Sequence, residues 1–137
     1  ALDPAAPVKV KLTGELDLDT ARVRAIREVR PGAWIGVDAN QGYVRDTLEQ
    51  LLPVLVEAGI ALLEQPLRRG DEAALDGLAR PLPFAADESA LTLADTDTLV
   101  GRFDMVNIKL DKCGGLTEAL AIAHRARSLG LEVMVGN

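Results

Sequence analysis

The sequence predicts an α/β fold built on a parallel sheet. Short β-branched runs alternate with amphipathic stretches along the 137 residues. An ionisable residue recurs at the C-terminal end of nearly every run. Those residues are Lys11, Asp38, Glu64, Asp87 and Lys109, separated by 27, 26, 23 and 22 positions. Each gap is the length of one strand, one helix and two loops, which makes a βαβ unit the repeating element.

The first strand is expected over residues 8–12, VKVKL. Strand side chains alternate, so Val8, Val10 and Leu12 share one face and Lys9 and Lys11 the other. A helix follows near 19–29, with Leu18, Val23, Ile26 and Val29 at helical spacing and Asp17 or Asp19 as its cap. A strand at 34–37 leads to a second helix, 44–58, carrying Leu48, Leu51, Leu52 and Leu55 and stopping at Gly59. Pro53 should kink or break it. Further strands are expected at 61–63, 84–86, 105–108 and 132–135. A third helix is expected near 71–78, a fourth near 93–101 and a fifth near 116–129. No Pro/Gly/Ser linker interrupts the pattern, so residues 1–137 read as one domain.

Composition narrows the function. The chain is 48% hydrophobic and 26% charged, a globular balance. Aromatics are only 3%, so aliphatic residues and alanine must fill the core. A net charge of −6 argues against nucleic acid or an anionic membrane as partner, since both need a basic footprint. The apolar runs are too short to span a bilayer. No signal-peptide pattern opens the chain, and its single cysteine suits a reducing cytoplasm.

Ionisable groups on five successive strands converge only if the sheet curls. A (β/α)₈ barrel builds its active site at the C-terminal strand ends, from several strands at once. A doubly wound sheet binds mainly at one switch point, and no glycine-rich dinucleotide fingerprint follows the first strand. About six strands and five helices make a partial TIM-type barrel, since complete ones run to roughly 250 residues. The expectation is therefore a piece of a larger barrel enzyme.

Asp38, Glu64 and Asp87 would bring three carboxylates together, stable only around positive charge. An all-oxygen set suits Mg²⁺ better than Zn²⁺, which favours His and Cys. The single histidine, His124, lies in an expected helix. Asn40 shares a face with Asp38 and is placed to orient ligand or substrate. Glu88 follows Asp87 as an outer partner. Taken singly, each acid also reads as a helix cap or loop acid.

Lys11 and Lys109 fall on strands four apart, opposite each other in an eight-stranded ring. They could flank a substrate and act as bases if neighbouring cations lower their proton affinity. Lys9, on the face of Lys11, would supply such a cation. The competing reading is that Lys9 and Lys11 are solvated strand lysines.

These residues, in the segments KVK (9–11), VDANQGY (37–43), EQPL (64–67), ADES (86–89) and NIKLDKCGG (107–115), resemble the enolase superfamily and its muconate lactonizing enzyme subgroup. Within it, NIKLDKCGGLTEAL followed by GLEVMVGN looks most like the dipeptide epimerases of the L-Ala-D/L-Glu type. The resemblance implies Mg²⁺ held by Asp38, Glu64 and Asp87, acid/base lysines at Lys11 and Lys109, and Lys9 as electrostatic helper. It also implies a 1,1-proton transfer through an enediolate on a small substrate, a dipeptide or another carboxylate-bearing acid. The implied full-length enzyme is a homo-oligomer whose capping domain and terminal barrel strands lie outside this chain. Other activities of the subgroup are o-succinylbenzoate synthesis, N-succinylamino acid racemisation and muconate cycloisomerisation. A barrel fragment without activity of its own is the remaining alternative.

The other reactive-looking residues have plainer readings. Cys113 is a buried or loop thiol with no histidine near it. Gly114 and Gly115 are loop glycines or an anion-binding turn. Trp34, Tyr43 and His124 are packing or surface residues. The acids at 17–19 and 71–76 are caps and solvated helix faces.

Overall fold

The computed structural model describes residues 6–136. Six strands form one sheet in sequence order: β1 (Val8–Lys11), β2 (Ile35–Asp38), β3 (Leu62–Glu64), β4 (Phe84–Ala86), β5 (Met105–Lys109) and β6 (Glu132–Gly136). Every neighbouring pair is parallel. Parallel neighbours need crossovers, and the helices α1 (Leu16–Val29), α2 (Arg45–Glu57), α3 (Leu93–Thr96) and α4 (Leu116–Ser128) lie in four of them. The result is a partial (β/α) barrel. Among the described residues, no helix is long and apolar enough to cross a membrane.

Alternation decides which face packs. Val10, Leu12, Ile35, Val37, Leu63, Phe84, Ala86, Val106 and Ile108 join the apolar core with the helices. The opposite face carries Lys9, Lys11, Asp38, Glu64, Asn107 and Lys109. α2 supplies its side of the core with Leu48, Leu51, Leu52 and Leu55, a helical i, i+3, i+4, i+7 stripe. Each such burial stabilises by about 1.5–3 kcal/mol. Pro53 does not break α2, which continues to Glu57.

Two helix expectations change. Residues 71–78 do not form a helix; a single 3₁₀ turn, Glu72–Leu75, stands there. Asp76 is extended and Gly77 has φ of +70°, while Pro81 and Pro83 follow, so the segment has neither length nor backbone for an α-helix. The helix expected near 93–101 is one α-turn, α3, continued by a 3₁₀ turn at Asp97–Leu99.

α1 begins at Leu16, earlier than expected, and neither Asp17 nor Asp19 caps it; the N-cap is Glu15. Its buried side is set by Leu16, Asp19, Val23 and Ile26, while Leu18 and Val29 face solvent. Asp19 thus occupies a core position, fully buried, and not the solvated face expected of it. A carboxylate is tolerated there because donors surround it, as described below.

Candidate active site

Four of the expected residues are the last of their strands: Lys11, Asp38, Glu64 and Lys109 end β1, β2, β3 and β5. Asp87 follows β4 directly. Register aligns Lys11 with Asp38 and Asp38 with Glu64. All the ends point the same way because every pair is parallel, so one edge of the sheet gathers the ionisable groups.

The carboxylates are buried and neutralised by ammonium groups. Glu64 is fully buried, and Asp38 and Asp87 nearly so. Lys9 Nζ lies 2.6 Å from Glu64 Oε2 and 3.7 Å from Asp38 Oδ2. Burial alone would lower the Lys9 pKa. The contact with Glu64 and the charges of Glu64, Asp38 and Asp87 outweigh it, so the pKa is raised. Lys109 Nζ bonds Asp87 Oδ2 and lies 4.0 Å from Glu64 Oε1. Glu64 Oε1 also accepts from Asn107 Nδ2 at 2.9 Å. Glu64 Oε2 is buried without a hydrogen bond of good geometry, so its approach to Lys9 is an ion contact only.

Lys11 differs from its expected partner. It is exposed, and among the described residues its side chain makes no hydrogen bond or ion pair. Asn40 is exposed too; it holds Asp38 through its backbone N–H, 3.0 Å from Oδ1. Asn40 and Gln41 both have positive φ, a turn that brings that N–H back onto the carboxylate. Glu88 is half-buried and lies 3.4 Å from Lys112 Nζ.

Sequence reasoning missed Lys112, Gln65 and Asn107. Lys112 Nζ lies 3.0 Å from Asp87 Oδ1, so Asp87 sits between two ammonium groups. Burial would raise the Asp87 pKa, but its hydrogen bonds from Lys109 and Lys112, with their charges, bring it below the usual carboxylate range. Gln65 is fully buried at φ +39°. Its Oε1 accepts from the Asp87 and Ser89 amides at 2.9 and 3.1 Å, and its Nε2 donates to Leu67 O and Ser89 Oγ, both at 2.8 Å. Gln65 therefore fastens the loop bearing Asp87 to the end of β3. The one signal was position: Gln65 and Lys112 are polar residues within three positions of a strand end.

As placed, no three His, Cys, Asp or Glu side chains among the described residues close around a common point. Ammonium groups stand between the carboxylates instead. The donor set nevertheless fits a hard cation: all-oxygen, on adjacent strands, buried, with one Glu64 oxygen lacking a hydrogen bond. An apolar cleft of about 650 Å³ lies elsewhere, lined by Leu52, Pro53 and Val56 of α2 and by Leu78, Ala79 and Pro81. It holds none of these polar groups.

Known proteins resemble the chain over nearly its whole length. The chain is 47% identical over 129 residues to the L-Ala-D/L-Glu epimerase of Escherichia coli K12, covering 94% of this chain and 40% of that protein. It is 40% identical over 136 residues to the N-acetyl-D-glutamate racemase of a Pseudoalteromonas species, covering 99% of this chain and 42% of that protein. The crystal structure of a dipeptide epimerase from Methylococcus capsulatus, complexed with Mg and the dipeptide L-Arg-D-Lys, superposes with a TM-score of 0.87 at 40% identity, over 93% of this chain and 38% of that one. The chain thus spans about 40% of the length of these relatives. The model of the enolase C-terminal domain-like group matches residues 5–137, and the chain belongs to that family.

Proposed function

We propose that this chain is the central part of the barrel of a Mg²⁺-dependent dipeptide epimerase, acting by 1,1-proton transfer on a substrate such as L-Ala-L-Glu. The observation that carries the reading is the order of groups along one sheet edge. A lysine ends β1, carboxylates end β2 and β3 and follow β4, and a second lysine ends β5. Bases on both sides of an acid cluster suit inversion at one carbon, whereas a single base suits retention or elimination. The chain's relatives, an epimerase and a racemase among them, support the same chemistry.

In this reading Asp38, Glu64 and Asp87 hold Mg²⁺. Bound there, the ion would draw negative charge onto the substrate carboxylate and make the α-proton more acidic. Lys11 removes or returns that proton from one face, and Lys109 does so from the other. Lys9, kept charged by Glu64 and Asp38, adds positive potential beside Lys11. Asn40 fixes the Asp38 carboxylate through its amide, and Glu88 balances the charge of Lys112.

The test is α-proton exchange in D₂O by the protein expressed from its complete reading frame, with Mg²⁺, across a set of dipeptides. Exchange of both epimers is expected; inert dipeptides would remove the reading. The relative acting on N-acetyl-D-glutamate favours one second reading, an N-acylamino acid racemase. Exchange of N-acetylglutamate with all dipeptides inert would select it.

A further inference from the structure

Among the described residues the Lys11 side chain has no hydrogen-bond or ion-pair partner, so its aim depends on its backbone. That backbone is tied to a network centred on the buried Asp19 of α1. Arg22 Nη1 donates to Lys11 O at 2.7 Å and to Asp19 Oδ1 at 3.3 Å. Asp19 also accepts from the Thr13 amide at 2.9 Å, the Gly14 amide at 2.9 Å and the Thr13 hydroxyl at 3.1 Å. The Tyr43 hydroxyl completes the set, donating to Asp19 Oδ2 at 2.6 Å. Tyr43 is 2% exposed and stands on the loop after β2, which also carries Asn40.

The two loops meet backbone to backbone. A Cβ on Gly14, whose φ is +89°, would lie 2.5 Å from Gly42 O. On the other side of Lys11, the Leu12 amide donates to Asp38 O at 2.8 Å. The Lys11 main chain is thus gripped from α1 through Arg22 and from β2 through Asp38. Asp19 is the hub that joins Arg22, the 13–14 loop and the 40–43 loop.

We infer that Asp19, braced by Tyr43 and acting through Arg22, is a positioning residue for Lys11, holding the base on one face of the substrate carbon and not the other. The assignment rests on the epimerase reading above. A fold-wide role would be even-handed; this role is lopsided, because Lys109 takes its position from Glu64, at the end of β3, and Asp87, just after β4.

The experiment is deuterium exchange of each epimer separately by the complete protein with Mg²⁺. Lys11→Ala first identifies the epimer whose exchange depends on Lys11. Tyr43→Phe and Arg22→Met should then slow exchange of that epimer by about tenfold or more, through misplacement of the base, and the other by less than about twofold. Arg22→Lys, which keeps a donor, should recover part of the loss. Equal loss for both epimers, or none for either, overturns the assignment while leaving the epimerase reading intact. A wild-type protein that exchanges neither epimer overturns both. Asp19→Asn is the harsher variant, since its amide would oppose the Thr13 and Gly14 donors. Its circular dichroism and the hydrogen exchange of those two amides should be read alongside. Unchanged protection of the Thr13 and Gly14 amides in a folded Asp19→Asn protein overturns the assignment.

Discussion

The lysines that end β1 and β5 are held in opposite ways. Lys109 is gripped by its head: Asp87 bonds its ammonium, Glu64 stands 4.0 Å away, and Asn107, two residues earlier on β5, bonds the same Glu64. Lys11 is gripped by its main chain, with its side chain exposed and the Asp19 network behind it. A head-held lysine is fixed by charge and moves if the carboxylates move. A backbone-held lysine is free to swing but has a fixed origin. Two bases of one proposed reaction therefore depend on different parts of the fold, and the dependence can be separated.

The largest expected effect separates the bases themselves. Lys11→Ala and Lys109→Ala should each abolish epimerisation, by about 10²-fold or more, the lower end of general acid/base contributions. Each should spare solvent exchange of the epimer deprotonated by the surviving lysine. Isotope incorporation followed by mass spectrometry for each epimer checks this. If both variants spare exchange of both epimers, the comparison collapses and Lys11 is a solvated strand lysine.

The next effect sharpens the Lys109 side. Gln65→Leu removes the acceptor that fixes the Asp87 and Ser89 amides and leaves them buried and unpaired. Outer partners of this kind are worth about 10–100-fold in metal affinity. Calorimetric titration with Mg²⁺ should show that loss, while Tyr43→Phe, on the Lys11 side, should leave Mg²⁺ binding within about twofold.

How much of this was legible in the sequence follows from what each residue depends on. Strand positions were legible because alternation and β-branching are local: β4 falls at 84–86, as expected, and the other strands within a residue or two. The strand-end acids and lysines were legible because they recur once per βα unit. Asp19 was not, because an acid near a helix start ordinarily caps it, and only the tertiary approach of Tyr43 and the 13–14 loop turns this one inward. Gln65 was missed for a related reason, since its work is done by a positive φ and by bonds to a loop 22 residues on. The helix expected at 71–78 failed on a short apolar pattern that the 3₁₀ turn satisfies by burying Leu75, with Ala74 and Leu78 packed partly against the core.

Stability should show the contrast more weakly. Removing Lys109 leaves Glu64 and Asp87 buried with one cation fewer, although Lys9 and Lys112 remain beside them. The loss should be about 1–3 kcal/mol, below the range for a buried pair with no other partner. Lys11→Ala, at an exposed site with no side-chain partner among the described residues, should cost no more than about 0.5 kcal/mol. Urea denaturation without Mg²⁺ checks the gap. Added Mg²⁺ should narrow it, since a bound cation replaces the charge that Lys109→Ala removes.

The smallest effect lies at the two ends of the pH scale. On the Lys109 side, burial raises the Asp87 pKa, but the Lys109 and Lys112 contacts outweigh it and hold it below the usual range. The folded state then binds fewer protons than the unfolded one. Its stabilisation is present above pH about 3.9 and is lost as pH falls through the folded value. Asp87→Asn should flatten that acid loss. On the Lys11 side the sign is opposite. Burial, the hydrogen bond to Asp19 and the Asp19 charge all raise the Tyr43 pKa, with Arg22 opposing weakly, and the phenol stays protonated well above its ordinary range. Its stabilisation is complete below pH about 10 and is lost as pH rises through the folded value. Lys9 and Lys112 also have raised pKa values and add to the alkaline loss, so the melting curve alone does not isolate the phenol. The ultraviolet difference between wild type and Tyr43→Phe does, because that one phenol is what distinguishes the two proteins. A tyrosinate signal appearing at the ordinary phenol pH, in protein still folded, would show that Asp19 does not hold Tyr43. The Lys11 side would then lose the brace that distinguishes it from the Lys109 side.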